Sequence, residues 1–165
     1  MVILPVEVWA MTEVEVRFIA DSMLGKLAKW LRILGYDTLY FRDGEDARLL
    51  AAARREGRIL LTRDTRLFRR RRVCRMLFIH HDQVWDQLRQ VAVELRLTMG
   101  ERLGSRCLRC NRSLALLARD QAAGRVPEYV LRHQEVFSRC EGCGRIYWAG
   151  SHLRHMEETV RTLCG

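Results

Sequence analysis

Between residues 14 and 97 short apolar runs alternate with stretches whose apolar residues recur every three or four positions. That rhythm restricts the chain to an α/β architecture with a mainly parallel sheet covered on both faces. The first run, "VEVRFIAD" (14–21), is β-branched, becomes continuously apolar at Phe18-Ile19-Ala20 and ends on Asp21, as a buried strand would. "SMLGKLAKWLRILG" follows, with Leu24, Leu27, Leu31 and Leu34 on one helical face, Lys26, Lys29 and Arg32 on another, and Gly35 as the stop.

"DTLYF" reads as a second strand and "DGEDARLLAAARREG" as a second helix closed by Gly57. "RILLT" is a third strand running into Arg63-Asp64, the arginine run after it is expected to form a short basic helix, and "RMLFI" is a fourth strand. Val84, Leu88, Val91 and Leu95 then mark another helix. Near residue 100 the texture changes to cysteine knuckles and short β-like stretches, which sets expected units of 1–13 (an extension, since Met11 could equally be the start), 14–99 and 100–165. "SHLRHMEETVRTLC" is expected to be a closing helix, with Ser151 as its cap.

Asp21 and Asp64 each follow a strand at its C-terminal end, and in a parallel sheet such ends lie side by side at the ligand-binding crevice. Asp46 opens the second helix and shares a face with Leu49, Leu50 and Ala53. Three converging carboxylates repel unless a cation lies between them, and hard oxygen donors of this kind suit Mg²⁺ or Mn²⁺. Such an ion can activate water and steady the leaving oxygen of a phosphodiester. Helix capping is the plainer role available to Asp21, Asp43 and Asp64, and a favourable first-turn charge to Asp46. Glu45 lies off the apolar stripe and is expected in solvent.

Four of the six cysteines form two C-x-x-C pairs, Cys107 with Cys110 and Cys140 with Cys143, and Gly142 and Gly144 relieve the backbone of the second pair. Four thiolates suit a closed, tetrahedral, structural zinc site. The 29 residues between the pairs exceed the commonest spacing and are expected to hold a hairpin plus a helical "SLALLARDQAAGR". Cys74 reads as a small apolar residue and Cys164 as a thiol without a role.

"RFIADSMLGKLAKWLRILGYDT", then "EGRILLTRD", then "RCEGCGRIYWAGSH" resemble, in that order, the Mut-7 C-terminal RNase domain family, over about residues 15 to 156. The resemblance implies a PIN-like three-layer nuclease domain followed by a small zinc ribbon, with metal-dependent ribonuclease activity. By motif position it assigns Asp21, Asp46 and Asp64 to the catalytic Mg²⁺ or Mn²⁺, and it brings Trp148 and His152 to the border of the crevice. PIN domains often place a fourth acid two residues after the T-R-D aspartate; here Arg66 stands there, with Asp82 as a possible substitute. The histidine pair His152 and His155 can otherwise be packing residues, and His80-His81 are expected to be structural.

Twenty-nine Lys and Arg against 20 Asp and Glu give a formal charge of +9, mostly from arginine, which favours an anionic partner such as RNA. Lys26, Lys29, Arg63, Arg66, Arg69 and Arg70 are the expected backbone-binding cations, within an arginine-rich region reaching Arg72. No run approaches a membrane span and "MVILPVEVWAM" lacks a leader's features, so a soluble, cytoplasmic protein is expected. The leading expectation is an endoribonuclease acting on single-stranded RNA and leaving 5′-phosphate and 3′-hydroxyl ends. The rivals are an RNA-binding adaptor with a decayed nuclease core, and a toxin-like PIN ribonuclease restrained by an inhibitory protein. An RNA-processing partner is the further expected contact.

Overall fold

A computed structural model describes residues 16–42, 45–98, 100, 102–150, 156 and 158–160. Its first sheet is built from β1 (Arg17–Ala20), β2 (Asp37–Tyr40), β3 (Ile59–Thr62) and β4 (Met76–Phe78), all parallel, in the order β2-β1-β3-β4. Helices α1 (Gly25–Ile33), α2 (Asp46–Arg55), α3 (Thr65–Phe68) and α4 (Val84–Glu94) alternate with the strands.

Because successive strand residues face opposite sides, one short apolar run feeds two cores. Phe18, Ala20, Ile59 and Leu61 pack with Leu27, Leu31, Leu88 and Val91 of α1 and α4. Ile19 and Leu60 face the other way, onto Leu49, Leu50, Ala53 and Leu67 of α2 and α3. The three expected layers are therefore present, and the Trp30 and Trp85 rings, 4.4 Å apart, join α1 to α4.

The arginine run corrects one expectation. Helix α3 ends at Phe68, and Arg69–Arg72 follow it in turns. Four adjacent arginines offer no apolar stripe to bury, which leaves that segment without the packing that sustains a short helix.

The second sheet is antiparallel, β5 (Leu114–Leu117), β6 (Phe137–Cys140) and β7 (Ile146–Trp148), in that order. Two short helices, α5 (Arg119–Ala122) and α6 (Glu128–His133), lie between β5 and β6. Thus "SLALLARDQAAGR" is not one helix: Leu114–Leu117 form a strand that pairs with β6, and only Arg119–Ala122 coils. Ala122, Val130 and Phe137 form a separate small core. Of the expected closing helix, residues 156 and 158–160 are helical, whereas Ser151, His152, His155 and Cys164 lie outside the described residues, as does Asp43. No helix among the described residues is long and apolar enough to cross a membrane.

Candidate functional site

Parallel strands place all their C-terminal ends on one edge of the sheet, and there a cleft of about 470 Å³ is lined by Asp21, Ser22, Met23, Phe41, Asp46, Leu49, Asp64, Arg66 and Leu67. Asp21 follows β1, Phe41 follows β2, Asp64 follows β3, and Asp46 is the first residue of α2. The three acids named from the sequence thus reach one cleft from three separate elements.

Their environments differ. Asp21 is buried, and its carboxylate accepts from the Met23 N–H at 2.9 Å, from the Arg63 N–H at 3.3 Å and from the Thr62 hydroxyl. Asp64 is one-third exposed and caps α3, its Oδ1 accepting from the N–H groups of Arg66 at 2.7 Å and Leu67 at 3.3 Å. Both acids therefore perform the capping role that was their plainer reading, while facing the cleft. Asp46 is exposed, contrary to its expected inward position: it sits at the rim of the buried face that Leu49, Leu50 and Ala53 form, so its charge is open to solvent and needs no buried partner.

One residue ties the acids together that the sequence did not single out, although it stands inside the T-R-D segment. Thr62 is fully buried, donates its hydroxyl to Asp21 Oδ2 and accepts at 3.0 Å from the Asp64 N–H. The apolar wall of Met23 and Phe41 was missed as well; nothing in their local periodicity marks them.

Among the expected substrate-binding cations, Arg66 lines the cleft, 87 % exposed, with its Nε 3.8 Å from Asp64 Oδ1. Lys26, Lys29, Arg69 and Arg70 are exposed on α1 and after α3. Arg63 donates instead to Asp82, so that each occupies the other, and Asp82 is not among the cleft-lining residues. Trp148 is half-buried in the second sheet's own core beside Phe137 and is not among the cleft-lining residues.

The four cysteines come together as their spacing predicts. Among the described residues they are the group whose ligand atoms all lie within 4.8 Å of one another. The Sγ atoms of Cys107 and Cys143 are 3.6 Å apart, those of Cys107 and Cys110 3.4 Å, and those of Cys110 and Cys140 3.2 Å. Tetrahedral zinc with bonds of roughly 2.3 Å needs sulfur edges of about 3.8 Å, so a small outward movement fits the ion. Burial opposes ionisation of Cys107, but the Tyr147 hydroxyl, 3.1 Å from its sulfur, and the Cys110 N–H outweigh it and hold the thiol at about 6. One ligand is thereby prepared as thiolate at neutral pH.

A family model described as the Mut7-C RNAse domain matches residues 16–160. A curated human protein described as "Exonuclease mut-7 homolog" is 33% identical over 130 residues, which are 77% of this chain and 11% of that protein. The chain therefore spans about a tenth of that relative's length. No solved structure matches.

Proposed function

This chain belongs to the Mut7-C RNase domain family, and from that premise we propose that it is a Mg²⁺- or Mn²⁺-dependent ribonuclease hydrolysing single-stranded RNA endonucleolytically. The observation that carries the proposal is the meeting of Asp21, Asp46 and Asp64, from three elements, on one cleft. The three carboxylates are hard oxygen donors of the kind that suits either ion, and because their oxygens do not already lie within 4.8 Å of one another, holding one ion between them would draw the exposed Asp46 side chain inward. A divalent ion held there would supply a Lewis acid for the phosphoryl oxygen and lower the pKa of water.

The chain's own groups do the positioning. Three donors fix Asp21 in one orientation, and the start of α3 fixes Asp64, so neither acid spends rotamer entropy on binding. Arg66, Lys26 and Lys29 offer exposed cations to the substrate backbone, and the Met23–Phe41 wall offers apolar surface to a base or ribose. Cleavage would leave 5′-phosphate and 3′-hydroxyl ends.

The test uses linear and circular single-stranded RNA with Mn²⁺. Wild type should linearise the circle, whereas Asp46→Asn, Asp21→Asn and Asp64→Asn should each lose at least about a hundredfold in rate, comparable to removing one preorganised electrostatic group. Cutting of linear RNA alone would make the activity exonucleolytic. Cutting that persists in all three variants would remove the site.

Arg66 supports a second reading. Its guanidinium already stands beside Asp64, where it competes with a bound cation, as in an RNA-binding adaptor that has lost catalysis. RNA binding without divalent-dependent cleavage, in wild type and in Arg66→Asp alike, would favour that reading.

A further inference from the structure

The two cysteine knuckles share one backbone design but not one purpose. In the first, the Cys107 N–H donates to Arg112 O (2.8 Å) and the Asn111 N–H to Cys107 O (2.9 Å). In the second, the Cys140 N–H donates to Arg145 O (2.9 Å) and the Gly144 N–H to Cys140 O (2.8 Å). The residue after each second cysteine is left-handed, φ 65° at Asn111 and 71° at Gly144. Glycine meets that demand without cost and asparagine tolerates it. The second knuckle therefore shows what the backbone requires, and the side chain of Asn111 is extra.

That side chain is 6% exposed and fully used. Its Oδ1 accepts from the Thr38 N–H at 2.9 Å, and its Nδ2 donates to Asp37 Oδ1 at 2.7 Å. Thr38 belongs to β2, the edge strand of the parallel sheet. The other outward group of the same residue, Thr38 O, accepts from Arg32 Nε at 2.8 Å, and Arg32 Nη1 donates to Leu108 O (2.9 Å) and Arg109 O (3.3 Å). Leu108 and Arg109 are the two residues between Cys107 and Cys110. Arg106, just before the knuckle, donates to Gly35 O at 2.9 Å and to Asn111 O at 2.8 Å.

An edge strand's outward peptide groups would normally face water or a foreign strand; here the metal-ligating turn covers them. From this end β2 runs straight to the acid cleft, where the Phe41 N–H donates to Ala20 O at 2.9 Å, beside Asp21. We propose that Asn111 is a positioning residue that transmits occupancy of the four-cysteine site to β2, so that the metal turn fixes the Phe41 side of the cleft. Four thiolates held by zinc fix the carbonyls of Leu108 and Arg109 and the direction of Asn111. Without the ion, the like-charged or loosely paired thiols no longer define that turn, and the cover on Thr38 loosens.

Amide-resolved hydrogen exchange on the full chain tests this, with zinc bound and after chelation under reducing conditions. Removing zinc should accelerate exchange at Thr38 and Phe41 about tenfold or more relative to Leu60 of β3, whose N–H donates to Arg75 O. Asn111→Gly preserves the left-handed turn, so it should retain one zinc per chain while showing the same acceleration at Thr38. Unchanged exchange in both cases would overturn the proposal. So would equal acceleration at Leu60, which marks global loosening, or loss of zinc from Asn111→Gly, which would put the residue's role inside the metal site. Neither readout involves RNA cleavage, so an inactive chain leaves the inference standing and a failed inference leaves the nuclease reading standing.

Discussion

Thr62 donates a hydrogen bond from its hydroxyl to Oδ2 of Asp21 while the same oxygen accepts from the N–H of Asp64, so one buried side chain sets the spacing of two acids 43 residues apart in sequence. The relationship follows from β1 and β3 being parallel neighbours, with Ala20 in register with Leu61. The residues just past both strands must then meet at one edge of the sheet.

Thr62→Val tests that spacing. The substitution keeps shape but leaves a buried carboxylate oxygen and a backbone N–H short of a partner, which costs about 1–3 kcal/mol. Thermal melting should shift down accordingly, and RNA cleavage should fall by about tenfold or more. Thr62→Ser should restore both. A Val variant with full activity would show that Met23 and Arg63 hold Asp21 unaided.

The arginines after α3 are tested by salt. Arg71 stacks over Phe68, 5.5 Å from the ring centroid, so its neutralisation would disturb packing; Arg69, Arg70 and Arg72 are the cleaner choices. If these three contact phosphates, changing them to Gln should weaken RNA binding across sequences and flatten the log K against log salt slope by about 0.7 per lost contact. An unchanged slope would assign them to solvent.

Much of this could be read along the chain, because strands of four residues bounded by glycine and acid carry their own pattern. The buried face of Leu49, Leu50 and Ala53 follows from helical period alone, although Asp46 stands at its exposed rim rather than within it, and the cysteine pairs follow from ligand spacing. What stayed hidden depends on long-range partners. Arg32 shares the polar face of α1 with Lys26 and Lys29, yet it holds carbonyls 76 and 77 residues away. Arg63 looked like a free cation until Asp82 arrived beside it from the far end of β4. Trp148 looked like a cleft residue because its motif travels with the acids, but a half-buried aromatic packs on the nearest apolar core, which Phe137 supplies. Asn111 gave no local signal, since its left-handed turn and its bonds to β2 exist only after the ribbon docks.

Acid titration tests the junction between the two sheets. Burial alone would raise the Asp37 carboxyl, but hydrogen bonds from Arg58 (2.6 Å) and Asn111 outweigh it and lower the group below its ordinary value. A depressed folded value means that Asp37 stabilises the protein fully above the ordinary carboxylate range, near pH 4, and loses that contribution as pH falls through the folded value. Asp37→Asn should therefore cost about 3 kcal/mol at pH 7, the low end for breaking a buried pair because Arg58 keeps Glu56. Denaturant midpoints of variant and wild type should converge as pH falls below the ordinary carboxylate range. A gap that is constant with pH would place the cost in shape rather than charge.

The most direct test of the account is anomalous scattering from crystals soaked in Mn²⁺ and measured at the manganese edge. The account predicts a manganese peak in the cleft within coordinating distance of Asp21, Asp46 and Asp64, about 2.0 to 2.3 Å from their oxygens, and its loss in Asp46→Asn. A well-occupied zinc at the four cysteines with no manganese in the cleft, at concentrations that saturate ordinary nuclease sites, would contradict it.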